Sequence, residues 1–163
     1  GGDGPALSYD AQVVWAHIVA NPFVHNASGI EVGKNYTIAP KDVLVGFNLV
    51  RAPAGKVVQV FKAQATVTFV GNLVWASGSP DVGTPLDAGE AVVVDPGLVR
   101  LGELFALAPG SPAIDRALAL APMLAVDVDG QARMRPDVGA DEQGATLGAR
   151  RPLTAKDVGP HAP

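Results

Sequence analysis

The chain has 163 residues, 48% hydrophobic and 17% charged, with a formal net charge of −4. This is the size of one domain with ample apolar content for a core, and the lack of any basic run or stripe argues against a nucleic-acid partner. There is no cysteine, which excludes disulfides, thiolate metal sites and cysteine nucleophiles, and no apolar run reaches the ~18 residues of a membrane span.

The start, Gly1-Gly2-Asp3-Gly4-Pro5, is neither basic nor apolar and does not read as a secretory leader. It is also too short and polar to cover a first repeat, so the chain is expected to be a piece of something longer. Leu7 to Ala20 reads as a first repeat, with Tyr9, Val13, Val14, Trp15, Ile18 and Val19 as its apolar content. Asn21-Pro22 marks a corner, because proline has no donor for a ladder. Phe23 to Val32 carries the chain through Gly29, and Gly33 to Asp42 is a turn-rich excursion.

A repeat then becomes visible. Phe23-Val24, Leu49-Val50 and Leu73-Val74 begin 26 and then 24 residues apart. Each has an asparagine just upstream (Asn21, Asn48 and Asn72), and a glycine follows each at Gly29, Gly55 and Gly78. A period in the twenties signals a solenoid, in which each repeat buries its apolar face against the next. The local period decides its type. Val43, Val45, Phe47 and Leu49 alternate with Leu44, Gly46, Asn48 and Val50, and Val67, Phe69, Gly71 and Leu73 alternate likewise. A period of two means strands. The expected fold is all-β: a right-handed parallel β-helix of about 24–27 residues per coil. Asn48 and Asn72 are expected to stack at one corner, and Phe69 to point inside. An antiparallel sandwich with coincidental spacing is the alternative; hairpin signals such as Asn-Gly are lacking.

Val57 to Phe61 is read as a second strand of its coil, and Thr66 to Trp75 opens another. Ser77 to Gly89 is a long loop. Ala91 to Val94 reads as a short buried strand stopped by Asp95-Pro96-Gly97. Leu98 to Leu107 is expected to be a short helix or an irregular capping segment. Ala113 to Leu120 has helical propensity with Ser111 as N-cap. Asp127 to Glu142 is a turn-dense polar strip, and the residues after Gly144 read as a tail. The expected organisation is coils over 1–98, an irregular C-terminal capping segment over 99–143 packed on them, and a tail over 144–163.

Candidate chemistry is sparse. Asp127-Val128-Asp129-Gly130 suggests calcium, but in an EF-hand frame Ala125 and Pro136 would hold the first and twelfth positions, and neither is a ligand. An Asp-Gly turn with Arg133 or Arg135 pairing nearby carboxylates is the plainer reading. His17, His25 and His161 show no metal spacing, and His25 reads as a solvated corner residue. Ser111 lacks the second glycine of a nucleophile elbow. Asp141 and Glu142 are adjacent and do not flank one bond as a glycosidase pair must. The sequons at Asn26 and Asn35 read as chance. No catalytic residue and no metal ligand is assigned.

Pro109-Gly110-Ser111-Pro112-Ala113-Ile114-Asp115, then Asp127-x-Asp129-Gly130-x-x-Arg133, then Asp137-Val138-Gly139-Ala140-Asp141-Glu142 resembles the closing segment of many secreted bacterial parallel β-helix proteins. Tyr9-Asp10-x-Gln12-Val13, Ile18-Val19-Ala20-Asn21-x-Phe23-Val24-x-Asn26, Ile30-x-Val32-Gly33 and Ala39-Pro40 resemble the later coils of polysaccharide lyase family 6, the chondroitinase B and alginate lyase family. The matches span roughly residues 9 to 142.

The resemblance implies cleavage of a uronate-containing polysaccharide, such as alginate or chondroitin/dermatan sulfate, by β-elimination. A calcium ion neutralises the uronate carboxylate, a lysine takes the proton and an arginine assists the leaving oxygen. Those groups lie on coils upstream of the part matched here, so the chain alone is expected to be inactive and calcium is assigned to none of its residues. The implied partners are an acidic polysaccharide and the upstream β-helix half, with no membrane, in a secreted or periplasmic protein. Lys34, Lys41, Arg51, Lys56 and Lys62 are spread over successive coils. A polyanion track and ordinary surface charge are both open for them. Lys34, Lys41 and Arg51 follow the coils most like the family and are the expected substrate contacts. A noncatalytic β-helix module for carbohydrate binding or surface contact is the alternative function.

Overall fold

A computed structural model describes residues 5–9, 14–26, 28–33, 39–52, 56–60, 66–76, 83–102, 104–120 and 124–144. Lys34, Phe61, Lys62, Gly55, Gly78, His161, the Asn35 sequon and the tail beyond Gly144 lie outside them. The described chain is all-β and most of its strand pairing is parallel. Its strands are β1 (Pro5–Tyr9), β2 (Val14–Val19), β3 (Pro22–Val24), β4 (Ser28–Val32), β5 (Lys41–Gly46), β6 (Leu49–Ala52), β7 (Val58–Val60), β8 (Val67–Val70), β9 (Asn72–Ala76), β10 (Ala91–Val93), β11 (Leu98–Leu101) and β12 (Leu104–Leu107).

The strands pair by thirds. Three parallel sheets have the orders β1-β4-β7, β2-β5-β8 and β3-β6-β9-β10. In the third sheet Phe23, Val50, Val74 and Val93 share one row, and Pro22, Leu49, Leu73 and Val92 the next. Successive residues of a strand face opposite ways, so this sheet carries a core on each side. Phe23, Val50 and Val74, with Ala52 and Ala76, pack with Ile18, Val43, Val45 and Phe69. Leu49 and Leu73 pack instead with Ala113, Ala117 and Val138 of the closing segment. Phe69 is inside as expected, at 8% exposure.

The corner between the second and third sheets repeats in atomic detail. Ala20, Phe47 and Gly71 take left-handed backbone, with φ of 54°, 53° and 58°, and each immediately precedes an asparagine. Nδ2 of Asn48 donates to Oδ1 of Asn72 at 3.1 Å, and the Asn48 N–H donates to the same oxygen at 3.0 Å. The expected contact is therefore present, and it extends one rung further. Asn21 donates through N–H and Nδ2 to Oδ1 of Asn48 at 3.0 and 3.1 Å. The amides also tie the rungs to the adjoining strands, Asn48 to the Ile18 carbonyl and Asn72 to the Val45 carbonyl, both at 2.8 Å. Glycine is needed at position 71, because a Cβ there would stand 2.6 Å from the Phe47 ring.

Four local expectations are corrected. Leu98 to Leu107 is neither a helix nor irregular. It is the antiparallel hairpin β11-β12, with Leu98 opposite Leu107 and Leu101 opposite Leu104. Gly102, at φ 62°, supplies the left-handed backbone its tight turn requires. Ala113 to Leu120 forms turns and a single 3-10 turn at Leu118–Leu120 rather than an α-helix. Ser111 does cap, accepting the Ala113 N–H at 3.1 Å and donating to the Pro96 carbonyl at 2.6 Å. Helix growth stops because Asp115 is left-handed at φ 58° and its N–H goes to Oδ1 of Asp137, while the Ala117 N–H goes to the Pro136 carbonyl. The strand after residue 90 is only partly buried, with Val93 52% exposed. Trp15, counted above among the apolar content of the first repeat, is 80% exposed.

Candidate functional site

The closing segment is organised on Asp127, which is buried. Its Oδ1 accepts the N–H groups of Asp129 and Gln131 at 2.9 and 2.8 Å, and its Oδ2 that of Glu142 at 3.3 Å. Burial alone would raise this carboxyl. The N–H groups of Gln131, Glu142 and Asp129, helped by the nearby positive charge of Arg133, outweigh it and hold the group below its ordinary value. Arg133 is 5% exposed and threads the same knot. It donates to the Gly139 carbonyl at 2.9 Å and the Asp137 carbonyl at 3.3 Å, and its Nη1 lies 3.5 Å from Glu142. Arg135 pairs with Asp115 at 3.2 Å. The Asp-Gly turn with arginine partners is thus what the strip builds.

Glu142 is pushed the other way. Its burial raises it, and the negative charges of Asp137 and Asp127 add to that against the Asp137 N–H and Arg133. The signs give opposite pH dependences. Asp127 contributes stability present above its unfolded value, ordinarily 3.8, and lost as pH falls through its depressed folded value. Glu142 contributes stability present below its unfolded value, ordinarily 4.5, and lost as pH rises through its raised folded value. Glu142→Gln keeps an acceptor for the Asp137 N–H but cannot titrate. It is expected to remove Glu142's share of the pH dependence, so that stability falls less, or rises more, as pH goes up from below 4.5 toward neutrality. Urea midpoints across that range check this, and an unchanged slope would count against it.

Asp127, Asp129 and Asp141 each bring one oxygen within 4.8 Å of the others. Oδ1 of Asp127 accepts two N–H groups and Oδ2 one, and the positive charge of Arg133 lies nearby, so part of the cluster's negative charge is already engaged. Asp141 belongs to this cluster while Glu142 turns to Arg133, so the adjacent pair is divided between two sets of partners. Ser111 is buried and spends its hydroxyl on backbone groups. His25 is exposed, yet its ring leans on Phe105 at 5.0 Å. Phe105 in turn lines an open groove of about 480 Å³ with Pro22, Val24, Asn26, Leu104, Val128 and Ala140.

Of the basic residues singled out by the sequence, Lys41 and Arg51 fall on separate sheets, and Lys56 is exposed outside the strands. Lys41 opens β5, exposed, opposite Val14 of β2. Arg51 lies in β6 in one row with Val24 and Trp75, its Nε 3.9 Å from Asp95. Lys41 has different company: Trp15, His17, Asp42, Thr66 and Thr68 are all exposed on the same sheet or at its end. This aromatic and polar face escaped the sequence reading, because tryptophan beside Val14 reads as core. Its signal is conformational. Trp15 and Asp42, at φ 67° and 54°, are each skipped by the register that pairs Val14 with Lys41 and Ala16 with Val43.

No family model, curated protein or solved structure matches this chain.

Proposed function

We propose that the three parallel sheets are the faces of a right-handed parallel β-helix, and that the chain is the C-terminal portion of a secreted or periplasmic bacterial polysaccharide lyase acting on a uronate-containing polysaccharide. The observation that carries this reading is the asparagine ladder. Asn21, Asn48 and Asn72 bond in series while each sheet takes every third strand, which is how stacked coils satisfy their corners. The resemblance to polysaccharide lyase family 6 supplies the activity. In this reading the chain is scaffold and groove edge, Lys41 and Arg51 are contacts offered to the polyanion from two different sheets, Lys34 is a third expected from the sequence, and the upstream half of the same protein supplies the base and acid.

A lyase of this kind uses calcium to neutralise the uronate carboxylate. The only carboxylate triad among the described residues is Asp127, Asp129 and Asp141; in this reading it braces the closing segment, because Asp127 accepts three backbone N–H groups and has the positive charge of Arg133 nearby. Calcium is therefore referred to the upstream half.

The chain by itself is expected to leave alginate and dermatan sulfate intact in the presence of calcium, read as no gain in ultraviolet absorbance from the conjugated acid that elimination creates. A longer polypeptide extending upstream of Gly1 is expected to produce it. Product from the chain alone overturns the division of labour. Product from neither moves the assignment to a noncatalytic carbohydrate-binding module, the reading that the exposed Trp15 face favours.

A further inference from the structure

The face of β2-β5-β8 that carries Trp15 has features that scaffold duty does not require. A tryptophan offers about 150–250 Å² of largely apolar surface, and at 80% exposure nearly all of this one meets solvent. Its backbone is strained as well. Left-handed φ is costly for a bulky residue, and Asp42 in the next strand adopts it too, one residue after Lys41. The two strands leave the regular pleat together and return to it together, with Ala16 opposite Val43. Ala16 and Ile18 pack on the core while Trp15 and His17 are exposed, so the indole is delivered outward one residue along from the Val14–Lys41 pair, at the level of Asp42.

The surroundings say what would cover it. An apolar protein surface would meet an ammonium, a carboxylate, an imidazole and the two hydroxyls of Thr66 and Thr68, and would leave them unpaired at a cost. A pyranose ring matches both parts. Its C–H face lies against the electron-rich indole face, and its hydroxyl rim reaches the polar side chains. Lys41 adds selection by charge, since a uronate carboxylate is its natural counter-ion. Strands lie about 4.8 Å apart, so the strip from β2 to β8 is ~10 Å wide, room for about two linked rings.

We infer that this face is a binding site for a uronate-containing oligosaccharide, with one ring stacked on Trp15 and its carboxylate at Lys41. The inference rests on the proposed reading that the chain meets an acidic polysaccharide, and it assigns that contact to a defined place.

Calorimetric titration of the full chain with a short alginate oligosaccharide, and with a neutral cello-oligosaccharide, tests it. The uronate oligomer is expected to bind. Trp15→Ala is expected to weaken binding by about tenfold, the scale of one lost aromatic contact. Trp15→Phe should recover most of it, Lys41→Gln should weaken the uronate oligomer alone, and Arg116→Gln, in the closing segment, should change nothing. An unchanged far-ultraviolet spectrum checks that each variant is folded. Absence of binding, or binding that Trp15→Ala leaves intact, overturns the site. Equal binding of the neutral oligomer, insensitive to Lys41→Gln, overturns its selection of uronate. Binding here with no elimination by the longer polypeptide removes the lyase reading and leaves the site standing. Elimination without binding at Trp15 does the reverse.

Discussion

Asn48→Ala is expected to lower the unfolding free energy by about 3–5 kcal/mol, since several buried polar groups lose their partners at once and each costs about 1–3 kcal/mol. Asn48 has no exposure at all. Its Oδ1 receives the Asn21 N–H and Nδ2, and its own Nδ2 reaches Ile18 O and Asn72 Oδ1. Alanine removes the middle amide, so Asn21 loses its acceptor, the Ile18 carbonyl loses its side-chain donor, and Oδ1 of Asn72 keeps only the backbone N–H of residue 48. Asn48→Asp does not rescue it, because the acceptor survives but the donor to Ile18 is lost and a charge is buried. Asn21→Ala is expected to cost less, because Asn21 is only half-buried and ends the series among the described residues. Urea unfolding checks the order: the Asn48 midpoint falls most while the slope with denaturant stays near wild type. Equal small shifts at both positions would show that the ladder is an ornament on a core held by Val43, Val45 and Phe69.

Arg133→Met should be comparably severe, about 3–5 kcal/mol, the usual cost of removing one partner from a buried charge network. Methionine fills much of the same volume, so the loss is electrical. Asp127, Asp137 and Glu142 would remain together without their cation, and the carbonyls of Asp137 and Gly139 would lose donors. The damage should be local. Val138 packs on Leu49 and Leu73, and the Gly139 N–H reaches the Phe47 carbonyl at 3.0 Å, so hydrogen exchange at Val138 and Gly139 should accelerate before the parallel sheets are affected. Adding Glu142→Gln should recover part of the loss by removing one of the stranded charges. A double variant no better than Arg133→Met alone would place the damage in packing instead.

The parallel sheets were legible because their cause is local and repeated. Val43, Val45, Phe47 and Leu49 alternate in sequence, and the interval from Asn48 to Asn72 is one rung of the ladder in space. The period-two pattern requires strands, and the repeat interval sets which strand lies over which. Asp127-Val128-Asp129-Gly130 was legible for the same reason, since an aspartate accepting N–H groups two and four residues ahead is a local turn.

The tertiary structure decided what those local rules leave open. Ala113 to Leu120 had the propensity and the cap for a helix, but Asp137 and Pro136 took the N–H groups of Asp115 and Ala117, and propensity is too weak to resist such partners. Leu98 to Leu107 became a hairpin because Leu98 and Leu107 pack with the outer residues of β6 and β9, a surface that exists only once those strands are side by side. Trp15 was placed outside although it adjoins an apolar run, because two neighbouring strands share one backbone excursion. Lys41 and Arg51 were sent to different sheets by the turn between their strands. Hydropathy alone assigns a residue to an inside or an outside; which outside it faces, and beside which neighbours, is fixed by how the strands stack.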